Sequence, residues 1–309
     1  MRIHHLSTLL ALTTLTMASS ISAALHDSPN TETINSSVLP KRVAINNNEI
    51  LVENDARWEQ VAGCARDIAA GDNGVVYVTG CDVVPNSYGS SAFYRWNGAA
   101  FAPLSSPGHG SAIATLAGTS YTIGGDAKLY SSNNDGAWVK RATPNYQPIT
   151  DIGAGRAGIW IITSQANGEG GNAIFRSQRC PTSAITGGKD FCTWNEMPGA
   201  AVRISVGAGA WVVNAQGDIF EWRDGSNQWK KYPGCFTDVA ANGNHVYAVG
   251  CQRGNGDGNK IFRWDNADNW VDVQGAGKRV AVDGAGNAWA ITDNGSIWRR
   301  DNHVPAPRY

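Results

Sequence analysis

The chain has 309 residues with 25 basic and 26 acidic side chains. That balance is too even for nucleic acid or an anionic membrane to be held by bulk charge. With 36 glycines, 12 tryptophans and 17% charged residues, the composition excludes a charged disordered chain and suits short strands joined by tight turns.

The N-terminus opens with Arg2, an apolar run from Leu6 to Met17 and the small-x-small site Ser22-Ala23-Ala24. This reads as a signal peptide over residues 1–24, too short to span a bilayer. No later segment is apolar over the length of a membrane span, so secretion or periplasmic export is expected. Removing Arg2 leaves 24 basic side chains against 26 acidic. Residues 25–40, rich in Ser, Thr and Asn, read as a flexible leader. Residues 41–304 form the folded domain, and residues 305–309 a short tail.

A tryptophan-headed phrase recurs through that domain: WEQVAG at Trp58, WVKRAT at Trp138, WNEMPG at Trp194, WKKYPG at Trp229 and WVDVQG at Trp270, with FAPLSS at Phe101 as a weaker copy. Self-similarity at such a period marks stacked or radial copies of one supersecondary unit. Between the phrases lies a common order of strands. A first strand begins at Asp67, Asp151, Arg203, Asp238 or Arg279. A second carries the aromatic column Tyr77, Tyr121, Trp160, Trp211, Tyr247 and Trp289, and a third carries Tyr94, Tyr130, Phe175, Phe220, Phe262 and Trp298. The Trp phrase is the fourth. NG, DG and GN pairs supply the hairpin turns. Nothing shows helical periodicity.

The fold expected is therefore all-β: a six-bladed β-propeller of four-stranded antiparallel blades. The last copy ends at Ser296–Arg300 without a fourth strand, and Trp58 opens a fourth strand without a blade before it. The N-terminal strand around Trp58 should close the ring and remove the exposed edges. Val43 to Gly63 also aligns with Val213 to Gly234, which leaves a seventh, partly formed blade open.

The six cysteines fall into three local pairs: Cys64 with Cys81, Cys180 with Cys192, and Cys235 with Cys251. The first and third pairs bracket equivalent strands of two repeats, as hairpin disulfides would. Each loop contributes on the order of 3 kcal/mol in the chain-entropy model, and the pairing implies an oxidising compartment. No CxxC or clustered His accompanies them, so zinc is not expected. GNGDGNK from Gly254 and DGAGN from Asp283 lack the EF-hand spacing and read as turns. No metal or other cofactor is expected.

Outside the signal peptide and the tails the histidines are His109 and His245, and no Ser-His-Asp grouping suggests itself. SSNNDGAW from Ser131 only superficially matches a sialidase Asp-box, which is a turn motif. Enzymatic activity is not expected. NSS at Asn35 and NGS at Asn294 fit glycosylation sequons.

The phrases WNEMPGAAVRISVGAGAWVVNAQGDIFEW and WKKYPGCFTDVAANGNHVYAVGC…KIFRW resemble the tectonin family, and the likeness extends from Trp58 to Asn302. WEQVAG and WVDVQG lack the proline of its Pro-Gly turn, and the cysteine pairs are not part of its general pattern. The resemblance implies a six-bladed propeller lectin that binds microbial or cell-surface glycans at repeated sites, lipopolysaccharide and methylated sugars among them. A monomer with weak repeated sites gains avidity from multivalency. The alternatives are a protein-interaction propeller with one apolar patch and a secreted glycoside hydrolase.

The Trp heads recur as packing residues would, so they are read as structure first. Carbohydrate contacts are expected instead at the third-strand ends, where cations adjoin aromatics: Arg95, Trp96, Arg176, Trp222, Arg223, Arg263, Trp264 and Arg299. A guanidinium offers several donors to hydroxyls or phosphates, and an indole stacks on a pyranose. The competing role for the same residues is inter-blade ion pairing and cation–π packing.

Overall fold

A computed structural model describes residues 42–46, 49–53, 58–104, 106, 108–144, 147–179 and 193–302. The signal peptide, the leader, the tail and the Cys180–Cys192 pair lie outside these residues. The chain divides after Asp55. In the first unit, Arg42–Asn46 pairs antiparallel with Glu49–Glu53 as a two-stranded sheet.

The second unit is a β-propeller of antiparallel four-stranded blades, and among the described residues it contains no α-helix. Its sheets follow the repeats. Repeat 2 is Ala112–Leu116, Thr119–Ile123, Leu129–Asn133 and Val139–Lys140. Repeat 3 is Ile149–Gly155, Gly158–Ala166, Asn172–Arg179 and Thr193–Ala201. Repeat 4 is Arg203–Val206, Ala210–Val213, Ile219–Arg223 and Gln228–Tyr232. Repeat 5 is Phe236–Asn242, His245–Arg253, Asn259–Trp264 and Trp270–Gly277.

Repeats 6 and 1 share one eight-stranded sheet through the long strand Glu59–Ala70. Its first half pairs with Ser296–Arg300, setting Val61 opposite Ile297 and Glu59 opposite Arg299. Its second half pairs with Val76–Val83, setting Ile68 opposite Val78. One strand thus serves as fourth strand to the last repeat and first strand to repeat 1, which ties the two ends of the propeller together. Repeat 6 otherwise comprises Arg279–Val282, Ala288–Ile291 and Ser296–Arg300, and repeat 1 Ser91–Trp96 and Phe101–Pro103, with the short strand His109–Gly110 pairing Ser91–Trp96 as the eighth. The first strands of the repeats abut one another in sequence, and Arg279–Val282 returns to Glu59–Ala70, so the inner circle is closed.

The core lies between neighbouring sheets. Tyr121, Leu129, Ile152 and Ile161 pack repeat 2 on repeat 3, and Trp211, Ile219, Val239 and Val246 pack repeat 4 on repeat 5. The whole second-strand aromatic column, from Tyr77 to Trp289, is at most 4% exposed. Burying each such ring contributes roughly 1.5–3 kcal/mol. Sheets covered on both faces explain why the strands read as near-continuous apolar runs. The disulfides Cys64–Cys81 and Cys235–Cys251 are both formed.

Candidate functional site

The junctions between repeats alternate in kind. At the junctions 1/2, 3/4 and 5/6, an aspartate at the start of a first strand accepts the backbone N–H of the next first strand. Asp67 takes Ile113, Asp151 takes Ile204 and Asp238 takes Val280, at 2.8–2.9 Å. At the junctions 6/1, 2/3 and 4/5 the start of the first strand instead donates to a backbone carbonyl in the turn between the second and third strands of the repeat before it: Ala65 to Gly295, Ile149 to Ala127 and Phe236 to Gly217. The repeats are therefore grouped in pairs, and the molecule has a pseudo-three-fold arrangement superimposed on its single repeats.

Each odd/even junction opens a cleft with the same plan. Between repeats 1 and 2, Tyr88, His109, Asp126, Tyr130 and Trp138 line a cavity of about 350 Å³. Between repeats 3 and 4, Asn167, Ala200, Asn214, Phe220 and Trp229 line one of about 300 Å³. Between repeats 5 and 6, Trp58, Asn255, Asp257, Asn294 and Trp298 line one of about 350 Å³. The even repeat supplies the Trp head and its third-strand aromatic. The odd repeat supplies the rim, from the turn between its second and third strands and from the end of its fourth.

Two of the three indoles are held by hydrogen bonds, and the Nε1 of Trp138 is buried without one. Trp58 Nε1 donates to Val273 O at 3.1 Å, and Trp229 Nε1 to Pro198 O at 2.6 Å. Small residues let them approach: a Cβ at Gly108 or Gly275 would run into the nitrogen of Trp138 or Trp58. In the 1/2 cleft Asp126 accepts hydrogen bonds from Lys140 Nζ at 2.6 Å, Tyr130 Oη at 3.0 Å and the Lys128 amide at 3.1 Å. Partial burial opposes ionisation there, but the three donors outweigh it and hold the carboxyl below its ordinary value. The 3/4 cleft is the most apolar, with Ile174 and Val212 beside its two asparagines. Aromatic walls combined with fixed amide, carboxylate and hydroxyl groups suit a small ligand that has an apolar face and several polar groups.

Three Trp heads read from the sequence as packing residues thus line clefts, together with the third-strand aromatics Tyr130, Phe220 and Trp298. The odd-repeat heads line none of these three clefts, although Trp194 is anchored in the same way. Trp194 donates to Ala142 O at 3.0 Å, and Trp270 packs on Phe236 and Trp264.

The third-strand ends selected from the sequence take no part in these clefts. Arg95 pairs with Asp135 at 2.9 Å and lines a smaller cavity of about 80 Å³ with Tyr77. Arg176 makes a forked pair with Asp224, at 2.6 and 3.3 Å, and lies over the Trp160 ring. Those bonds hold Asp224 below its ordinary pKa despite its partial burial. Trp222, 4% exposed, donates to the same carboxylate. Arg223 bridges Tyr232 Oη and Glu221 at 2.6 Å. Trp264 is 7% exposed against Trp211 and Tyr232. Trp96 stacks on Phe101 and Trp289. Arg299 covers Trp289 and pairs with Asp301. Arg263 stands opposite Tyr247 in the sheet of repeat 5, with a buried Nε. The geometry around these side chains is that of ion pairs and packing within and between repeats.

A second polar feature lies on the axis, where the first strands enclose a cavity of about 70 Å³. Arg203 bridges Asp238 at 3.1 Å and Asp151 at 3.5 Å, and Arg279 lies 3.7 Å from Asp67 and 3.9 Å from Asp238. Burial raises all three carboxyls against the pull of Arg203, Asp67 to about 6 and Asp238 to about 7. Among the described residues no group of three or more His, Cys, Asp or Glu side chains is placed to hold a metal ion. Nor is any helix there long and apolar enough to cross a membrane.

No family model and no curated protein matches the chain. Among solved structures it is similar to streptogramin B lyase, at 12% identity and a TM-score of 0.49, over 79% of this chain and 97% of the lyase. It is similar to YCF48 from Cyanidioschyzon merolae, at 15% identity and a TM-score of 0.44, over 80% of this chain and 88% of that one. It is also similar to Prp20p from Saccharomyces cerevisiae, at 11% identity and a TM-score of 0.47, over 75% and 70%. The propeller assignment stands on the chain's own strand pairing.

Proposed function

We propose that this chain is an extracytoplasmic, non-enzymatic lectin: a monomeric, six-bladed propeller of the tectonin type, without a cofactor, that binds cell-surface or microbial glycans in the clefts of its three blade pairs. In this reading the eight-stranded sheet is blades 6 and 1 joined by their shared strand. The observation that carries the function is recurrence. The same cleft, with an indole, a second aromatic and an Asn- or Asp-bearing rim, is built three times at alternate junctions. An aromatic-walled cavity that recurs at three alternate junctions supports a binding role over packing alone. Each cleft has the volume for a short stretch of sugar, and three of them on one chain convert weak single-site affinity into avidity on a dense surface. The two disulfides support an oxidising compartment.

A printed array of bacterial, fungal and animal glycans, including lipopolysaccharide and O-methylated oligosaccharides, tests this reading with the mature chain. Binding that strengthens with glycan density supports it. Silence across the array, with tight capture of a protein instead, overturns it.

A further inference from the structure

The three clefts share a plan but differ in the residues that the odd-repeat turn brings to the rim. In the 3/4 cleft the odd-repeat turn contributes Asn167 and Gly170, and in the 5/6 cleft Asn255, Gly256 and Asp257. In the 1/2 cleft it contributes Asn86, Ser87 and Tyr88. Tyr88 is 88% exposed, the most exposed of the large hydrophobic side chains among the described residues. Its φ is +54°, a left-handed conformation that is costly for a bulky side chain. Asn86 beside it is left-handed as well, at +60°.

The surrounding loop is not loose. Val84 N–H donates to Ser90 O at 2.9 Å, and Ser90 N–H to Ser87 O at 3.2 Å. The Ser87 hydroxyl lies within 2.6 Å of Val84 O and 2.9 Å of Ser90 O. Ser87 and Ser90 are 3% and 1% exposed. The loop is seated against repeat 2, where a Cβ on Gly125 would run into the Ser87 carbonyl. A well-bonded loop therefore holds a strained backbone at its tip, and the strain presents a phenol ring to water beside a cavity. Burial offers no return for that cost in the free protein.

Resting on the lectin reading, we propose that the 1/2 cleft is the primary glycan site of the three and that Tyr88 is its specificity-determining residue. Tyr88 stacks on one face of a pyranose, with Trp138 and Tyr130 forming the wall of the same cavity. The ionised Asp126 and the imidazole of His109 are the polar partners for ring hydroxyls. The other two clefts, lacking the aromatic rim, are auxiliary sites that add avidity.

The test uses the mature chain and a printed array of neutral, N-acetylated, O-methylated and anionic oligosaccharides. The strongest-binding one is carried into titration calorimetry with Tyr88→Gly, Tyr88→Phe, Ala200→Lys and Ala276→Lys. The lysines crowd the 3/4 and 5/6 clefts. Losing one aromatic stacking contact weakens binding about tenfold in Y88G. Y88F, which keeps the ring, should stay within about twofold of the native chain by the same argument. Y88G should also melt higher than the native chain, because glycine relieves the left-handed strain. Loss of affinity with gain of stability is a signature that a structural role for Tyr88 would not give. If Y88G binds as tightly as the native chain, or A200K or A276K abolishes binding while Y88G does not, the proposal fails and the lectin reading survives. If no oligosaccharide binds the native chain, the lectin reading falls and the proposal with it.

Discussion

The backbone N–H of Val280 donates to Oδ2 of Asp238 at 2.9 Å, from the first strand of one repeat to that of its neighbour. The other oxygen of Asp238 takes Arg203 Nε at 3.1 Å. A carboxylate at a strand start therefore stitches three repeats together, and Asp67 and Asp151 occupy equivalent places. The axis carries three aspartates and two arginines, Arg203 and Arg279, at the head of alternate first strands. In repeat 2 the corresponding position, immediately before Ile113, is Ala112.

Arg203 is the most connected cation of this ring, with its side chain 15% exposed. Replacing it with methionine keeps most of the volume but leaves Asp151 and Asp238 buried without their nearest counter-charge. Breaking a buried pair from one side costs about 3–5 kcal/mol. Urea unfolding of R203M at pH 7.5 should show that loss. A change below about 1 kcal/mol would mean the pairs contribute no more than surface ones do.

The same ring sets a pH dependence. Asp67 and Asp238 stand at about 6 and about 7, raised from 3.8 chiefly by burial. Between about pH 4 and pH 7 the folded chain therefore binds more protons at these groups than the unfolded chain. Their contribution to stability is greatest below the unfolded value and falls as pH rises through the folded values. Melting temperature should decline from pH 5 to pH 7.5, and the decline should shrink in the Asp67→Asn, Asp238→Asn double variant. An unchanged slope in that variant would place the titrating groups elsewhere.

Ala112→Arg restores the third cation. It should lower the pKa of Asp67 and Asp151, and so flatten the melting-temperature slope over the same window. Ala112 is 7% exposed, so the added guanidinium enters a buried site and shares Asp151 with Arg203. A slope identical to the native one would show that the side chain had left the axis.

Much of this architecture is legible in the residues. The four-strand order, the buried column from Tyr77 to Trp289 and the closing strand after Trp58 follow from period and turn chemistry. The alternation of Asp67, Asp151 and Asp238 with Arg203 and Arg279 is also visible in the sequence, and it announces the pairing of repeats. The clefts are not legible in the same way. Each is assembled from the head phrase of one repeat and turns of the repeat before it, so no local pattern separates Trp58, Trp138 and Trp229 from Trp194 and Trp270. Arg176 and Trp222 look like a binding pair in one dimension. Only the cross-repeat register shows that Asp224 engages both.

The disulfides yield a prediction of their own, because the third equivalent junction lacks one. Ser164 N–H donates to Pro148 O at 2.8 Å, as Cys251 N–H does to Cys235 O at 3.0 Å. Pro148 and Ser164 thus hold the cystine positions of repeat 3. At the two disulfides, a glycine of the preceding repeat lies against the sulfurs: a Cβ on Gly295 would come within 2.6 Å of Cys64 Sγ, and one on Gly217 within 2.9 Å of Cys235 Sγ. The matching residue in repeat 2 is Ala127, left-handed at φ +55° and carrying the Cβ that the other two junctions exclude. The pair Pro148→Cys, Ser164→Cys should therefore oxidise poorly by itself and readily with Ala127→Gly added. The triple variant should gain about 2–3 kcal/mol from the new loop, less the cost of the lost proline. Thiol titration of the unfolded, unreduced chains reads the oxidation directly, and urea unfolding reads the gain. Equal oxidation with and without A127G would show that the sulfurs at this junction do not need the glycine.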